Sequence, residues 1–162
     1  MSTSNISKAS VLGREITITR MINASRELVF EAWTKPEHLS KWYGPDGFKT
    51  TTHRMELKPG GVWEFTMHGP DGRDYPNRIH FIEIIKPERL VYKHAGDDDT
   101  EPVNFKAKVT FESKDNGTLV TMLSIFDSAE DLQRVVETYG AVEGGKQTLG
   151  RLDNYLSNFN NE

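Results

Sequence analysis

The chain has 162 residues, of which 36% are hydrophobic and 10% aromatic, and it contains no cysteine. This length suits one domain with a sizeable core, and the composition excludes a disordered chain, a disulfide scaffold and any thiolate site. The net charge is −4, and the excess of acid falls in residues 127–162, which hold 3 basic and 7 acidic groups, so we expect no nucleic-acid partner.

The first 13 residues are polar and rich in serine, which predicts a loose tail followed by a single domain over residues 14–160. No apolar signal region opens the chain, and no run of about 18 apolar residues occurs in it. We therefore expect a cytoplasmic protein without a membrane span, as a monomer or weak dimer.

Apolar residues alternate from Ile16 to Ile22 and predict a half-buried strand. Ser25 is the expected N-cap of an amphipathic helix that follows. Thr34 and Glu37 have the spacing of a capping box, which predicts a second short helix ending before Gly44.

Residues 48–126 contain regularly spaced turn signals rich in glycine, proline, asparagine and aspartate, which predict an antiparallel meander of about six strands. Residues 115–117 (Asp-Asn-Gly) are a strong hairpin signal. The acidic residues 97–101 lack the calcium-loop pattern and predict a solvated hairpin loop.

Ser128 opens a helical pattern whose apolar positions continue to Phe159, and Gly140 is the point at which this segment can divide. Because a sheet with one solvated face must cover the other, the long C-terminal helix is the element expected to do so. The predicted fold class is α+β, with a curved antiparallel sheet gripping that helix.

Glycines within the last helix permit two interpretations: close packing of helix on strand, or a missing side chain that leaves volume beneath the sheet. They are Gly140, Gly144, Gly145 and Gly150. Inward-facing aromatic residues on the strands are likewise consistent with plain core or with the wall of an apolar pocket.

The five histidines show no metal-binding spacing, so no metal site or cofactor is predicted, and each histidine is expected at the surface or on an edge strand. No nucleophile or phosphate-binding motif occurs. Glu64 and His80 are the candidates for proton transfer in a cavity, although strand parity directs Glu64 away from Trp63. We therefore assign no catalytic residue, and the sequence gives no positive support for an enzyme.

Taken in order, the motifs resemble the family named for similarity to the C-terminal domain of the activator of the ninety-kilodalton heat-shock protein ATPase. That family belongs to the START-like (SRPBCC) superfamily of helix-grip folds, and the resemblance covers about residues 14–158. The segments that carry the resemblance are residues 20–45, 57–63, 69–72, 83–91 and 143–149.

The resemblance implies a cavity between the sheet and the C-terminal helix. Gly145 stands where many relatives carry tryptophan, which would make this cavity larger. The candidate ligand-binding residues are Trp42, Trp63, Phe65, Met67, Phe105, Val109, Phe111, Tyr139, Val142, Gly145 and Leu149.

The leading hypothesis is a binding module for a hydrophobic or amphipathic small molecule. A module that interacts with a chaperone, as the family name suggests, is the first alternative. The second is a cofactor-independent enzyme of cyclase or hydrolase type, which would need an ionisable group in the apolar pocket.

Overall fold

The computed structural model describes residues 6–96 and 105–160, which form eight strands and four helices. The strands are β1 (Lys8–Leu12), β2 (Glu15–Ile22), β3 (Lys49–Met55), β4 (Val62–His68), β5 (Asp74–Ile85), β6 (Arg89–Gly96), β7 (Phe105–Lys114) and β8 (Gly117–Phe126). The helices are α1 (Arg26–Thr34), α2 (Pro36–Trp42), α3 (Ala129–Tyr139) and α4 (Ala141–Asn160).

The strands form one antiparallel sheet in the order β1-β2-β8-β7-β6-β5-β4-β3. The predicted α+β fold class and the six-strand meander are confirmed. The acidic residues 97–101 lie outside the described residues. Within the described part of the chain, no helix is long and apolar enough to cross a membrane.

The segment predicted as a loose tail contains a strand. Residues 8–12 pair with β2 in register, from Lys8 opposite Thr19 to Leu12 opposite Glu15. All five residues of β1 are exposed, so the segment has no buried face and gives no alternating pattern to read.

Two of the three predicted helix caps are confirmed. The hydroxyl oxygens of Ser25 and Ser128 accept hydrogen bonds from the backbone three residues ahead, at 3.2 Å and 3.1 Å. The capping box at Thr34 is wrong, because its hydroxyl donates back to the carbonyl of Phe30 at 2.9 Å. Lys35 is the N-cap of α2 instead, without a side-chain cap.

The hairpin between β7 and β8 has the predicted two-residue turn. Asp115 and Asn116 have φ values of 50° and 68°, as a type I′ turn requires, and Lys114 pairs with Gly117. This turn fixes the register of the two strands, and with it the set of residues that faces inward.

Helix α4 packs along β2 and against α2, whereas α1 covers the start of β8 and the end of β7. A buried ion pair holds α4 on β2, since the Arg20 guanidinium lies 3.2 Å from the Asp153 carboxylate. The second carboxylate oxygen accepts the backbone N–H of Asn23 at 3.2 Å. Two guanidinium nitrogens of Arg20 (Nε and Nη2) and one backbone N–H thus fix the position of the helix against the strand.

Gly140 divides the C-terminal helical segment, as predicted, and it adopts a left-handed C-cap conformation with φ 60°. The glycine at position 145 serves close packing instead of leaving a void. A Cβ atom at Gly145 would overlap the Cδ1 of Ile18, whose side chain is buried against the helix. The interpretation of Gly145 as a gap in the interior is therefore wrong.

Gly145 and Gly150 give a matched test of this packing. A Cβ atom at Gly150 meets only the Arg20 guanidinium, at an ordinary 3.5 Å, so Gly150→Ala should raise the free energy of unfolding by about 0.5–1 kcal/mol. Gly145→Ala should lower it by about 1 kcal/mol, because the overlap outweighs the gain in helix propensity. Urea unfolding of both variants measures the difference.

The Ile18→Val background removes the methyl group that Gly145→Ala would meet. In that background Gly145→Ala should become stabilising, which a double-mutant cycle detects. Equal stabilisation by the two alanines in the wild-type chain would contradict the packing argument.

Candidate functional site

Six of the predicted ligand-binding residues lie on the inner face of the sheet. Alternation along β4 directs Trp63, Phe65 and Met67 inward, and the same alternation along β7 directs Phe105, Val109 and Phe111 inward. The inner face of β8 comprises Val120, Met122, Ser124 and Phe126, which the sequence pattern left undecided. Residues from strands far apart in the sequence thus face one interior.

The aromatic residues nearest α2 form a compact cluster. Trp63 and Phe65 are stacked with ring centroids 3.8 Å apart, and Tyr43 meets them edge-on at 4.9 Å and 5.6 Å. Trp42 contacts Tyr43 at 5.4 Å, and its indole N–H donates to the carbonyl of Ala32 at 3.0 Å. This cluster is a rigid aromatic wall under the C-terminal end of α2.

Other predicted residues belong to the closed core. Phe111 packs edge-on against Phe30 and Trp33 of α1, at 5.5 Å and 5.7 Å. Val109 and Leu149 have no exposed surface. The side chain of Tyr139 lies outside the described residues.

Three predicted residues keep contact with solvent although they pack against the core: Met67, Phe105 and Val142. Met67 is the last inward-facing residue of β4, and Phe105 is the first residue of β7. Because the strands are antiparallel, these two positions belong to the same end of the sheet. Val142 lies in the first turn of α4, so the predicted set is divided between fully buried residues and residues that stay partly exposed.

Two residues in this interior were missed by the sequence analysis: Tyr43 and Tyr92. Tyr43 follows α2, and Tyr92 faces inward from β6, where it pairs with Phe81 and Ala107. The two phenols lie close enough for each to affect the pKa of the other. The alternation of Leu90 with Tyr92 along β6 is the sequence signal that could have identified Tyr92.

Burial keeps both phenols protonated. Desolvation raises the pKa of Tyr43 to about 12, although the neighbouring Tyr92 hydroxyl acts in the opposite direction. Desolvation also raises the pKa of Tyr92 well above its ordinary value, and the charge of an ionised Tyr43 would raise it further. The pair is therefore a neutral hydrogen-bonding group in apolar surroundings.

More polar side chains lie next to the pair on the inner face. His94, two residues beyond Tyr92, bonds to the amide oxygen of Asn77 at 2.9 Å and stacks on Phe105 at 4.8 Å. The prediction that each histidine lies at the surface or on an edge strand is wrong for His94, and also for His38, which bonds to Tyr155 at 2.7 Å.

The two candidates for proton transfer do not reach this interior. Glu64 points to the outer face, where it lies 2.8 Å from Arg78 and 3.6 Å from Arg54. His80 is exposed and pairs with Lys93 in register. The described residues contain no cluster of three or more groups suited to hold a metal ion.

A surface depression of about 610 Å³ lies along α4, where Arg20 and Asp46 line it together with residues of the helix. It contains three cationic residues, Arg20, Lys146 and Arg151, but each of them is engaged within the structure. Arg20 is paired with Asp153, Lys146 lies 3.4 Å from the carboxylate three residues before it, and Arg151 donates to the carbonyl groups of residues 44–45 at 2.9 Å. This surface holds α4 in place.

The chain matches the family model described as "Activator of Hsp90 ATPase homolog 1-like protein" over residues 23–157. The chain belongs to this family. Its fold is the helix-grip arrangement of solved relatives. No match was found among curated proteins.

Protein Ms6760 from Mycobacterium smegmatis is 27% identical, with a TM-score of 0.84, covering 94% of this chain and 97% of that one. A protein from Arthrobacter aurescens is also 27% identical, with a TM-score of 0.86 and coverage of 93% and 91%. An AHSA1-like protein from Aeromonas hydrophila, 21% identical over 91% and 95% of the two chains, has a TM-score of 0.70 and shares the fold. These likenesses show the architecture of the chain, and a shared fold does not by itself determine function.

The raised pKa values predict a specific loss of stability at alkaline pH. Between about pH 10 and 12 the unfolded chain releases phenol protons that folded Tyr43 retains, so the free energy of unfolding falls as the pH rises. The loss should be about 1 kcal/mol per pH unit for this group. It is absent below the unfolded pKa.

Urea midpoints at pH 8 and pH 11 test this for the wild type and Tyr43→Phe. The variant should lose less stability between the two pH values, because one of the late-ionising phenols is gone. The same decrease in both proteins would show that Tyr43 ionises as freely as an exposed tyrosine.

Proposed function

We propose that this protein is a binding module that holds an apolar small molecule between the inner face of the sheet and helix α4. The observation that carries the proposal is the partial solvent exposure of apolar residues that face inward. Met67, Phe105 and Met122 lie on the inner face, yet each remains only partly buried. In a closed core such side chains would be fully covered, as Trp63 and Val109 are.

The chemistry of the lining supports an apolar ligand. Aromatic rings and methionine side chains dominate, and the polar groups are few and convergent, as in small-molecule sites. Met67 and Met122 are flexible and polarisable, so they can adapt to a molecule of irregular shape.

The placement of the helices over the sheet supports an opening at one end of the interior. Helix α1 covers the end of the sheet that contains Phe111, and α2 ends above Trp63 and Phe65, whereas α4 follows β2. Val142 begins α4 above the other end, where Met67 and Phe105 lie. A ligand would therefore enter between the start of α4 and this end of the sheet.

Two tryptophan substitutions on adjacent residues of β8 test the proposal. Met122 faces inward between Val109 and Ile18, whereas Leu123 faces outward. Met122→Trp should fill the interior and weaken binding of 2-ethylnaphthalene at least about tenfold. Leu123→Trp is the matched control and should bind like the wild type, as measured by changes in intrinsic tryptophan fluorescence.

Urea midpoints show whether both variants remain folded. Binding that survives Met122→Trp unchanged would place the probe elsewhere on the protein. If the wild type binds no apolar probe, the binding-module proposal fails. The chaperone interaction suggested by the family name would then take the lead, and titration with a chaperone ATPase would test it.

A further inference from the structure

The outer face of the sheet has a depression of its own, with a volume of about 340 Å³. A row of residues in register on three neighbouring strands lines it: Lys93 lies opposite Lys106, and Lys106 lies opposite Ile125. Both lysines are exposed and Ile125 is half-buried. The volume lies near the lower end of the range of small-molecule pockets, which is about 300–1,000 Å³.

The two lysines place like charges side by side. Residues directly opposite in an antiparallel pair have Cβ atoms about 4.5–5.5 Å apart, and like charges at such positions are destabilising. Arg14, in the turn between β1 and β2, adds a third cation to the same depression. Asp127 is the only carboxylate among the residues that line it. The depression therefore has an excess of positive charge.

Other cations of the outer face are neutralised by neighbouring carboxylates. Arg78 lies 2.8 Å from Glu64, and Arg89 lies 2.6 Å from Glu83. By contrast, the three cations of the depression form no ion pair with any carboxylate in the described part of the chain. An anion between the two lysines would offset their repulsion and be attracted to both.

An apolar surface lies beside these charges. Strand β5 has a bulge between Phe81 and Glu83, and Ile82 is the extra residue in it. Bulges redirect side chains, and here the Ile82 side chain is 49% exposed where it lines the depression. Together with Ile125 it gives the depression an apolar part, which a small inorganic anion would leave uncovered.

We propose that this depression binds a small amphipathic anion, a carboxylate on an apolar body. The carboxylate lies between Lys93 and Lys106, and the body packs against Ile82 and Ile125. Arg14 adds to the positive charge that attracts the anion. The site is on the face of the sheet opposite to the proposed interior cavity, and it does not depend on the binding function proposed above.

Three probes separate the contributions of charge and apolar surface: 2-naphthoate, acetate and 2-ethylnaphthalene, titrated calorimetrically at pH 8. The wild type should bind 2-naphthoate at least about tenfold more tightly than acetate, which lacks the apolar body. Raising the ionic strength from about 0.01 M to about 0.15 M should weaken binding of 2-naphthoate severalfold, because salt screens exposed charges. The neutral 2-ethylnaphthalene should show no such dependence.

Lys106→Glu separates binding from stability, because the two should change in opposite directions. It places opposite charges across β6 and β7, so the urea midpoint should be no lower than that of the wild type. Binding of 2-naphthoate should weaken at least about tenfold, since one attraction becomes a repulsion. Lys93→Gln, which only removes a charge, should weaken it about fivefold.

Lys108→Glu is the matched control. Lys108 lies two residues along the same strand on the same face, and it is exposed but does not line the depression. Its reversal should change the affinity for 2-naphthoate less than about threefold, because a more distant charge is screened by salt.

Backbone amide NMR locates the bound probe. Saturable shifts at Ile82, Lys93 and Lys106, with none at Met67 or Met122, would support the site. Equal losses from Lys106→Glu and Lys108→Glu, acetate binding as tight as that of 2-naphthoate, or shifts confined to the interior would each overturn it. Failure of 2-naphthoate to bind would do the same, while leaving the interior cavity to its own test with 2-ethylnaphthalene.

Discussion

A single helix cannot cover eight strands, and the rest of the structure depends on how the remaining strands are covered. Strands about 4.8 Å apart give the sheet a width of about 34 Å, whereas a helix with its side chains is about 10–12 Å wide. Helix α4 is held to β2 by the Arg20–Asp153 ion pair, so its cover lies over one side of the sheet. Helix α1 covers the end that contains Phe111 and α2 packs against β3, and the remaining inner face is left to its own side chains.

Close packing near β2 and partly exposed apolar side chains farther along the sheet are two results of the same placement. At Gly145 the absence of a side chain lets Ile18 fill the interface, which fixes the helix close to its strand. Farther along, Met67 and Phe105 keep contact with solvent, and Tyr43, Tyr92 and His94 supply polar groups to a mostly apolar surface. The proposed cavity is thus a consequence of a sheet that the helices cover only in part, and not of a glycine in the helix that lacks a side chain.

Local signals predicted most of the fold, because each depends on residues that are neighbours in the sequence. The alternation of β7, the Asp115–Asn116 turn and the Ser25 cap are of this kind. The predicted capping box at Thr34 was wrong because its hydroxyl donates to a carbonyl group of the preceding helix. Strand β1 was missed because an exposed edge strand has no buried face.

The candidate site was predictable only in part. Strand parity placed Trp63, Phe65 and Phe105 on one face, yet it could not distinguish fully buried positions from partly exposed ones, which depend on where α1 and α4 lie. The pairing of Tyr43 with Tyr92 joins a helix end to a central strand, and no pattern of local spacing carries that information.

The most direct test of the account is an NMR titration of protein carrying ¹³C-labelled methionine methyl groups with 2-ethylnaphthalene. The five methionines include Met67 and Met122 on the inner face and Met21 on the outer face of β2. The account predicts saturable shifts at Met67 and Met122 with none at Met21. Shifts at Met21 alone, or no saturable shift at any methionine, would contradict a ligand cavity between the sheet and helix α4.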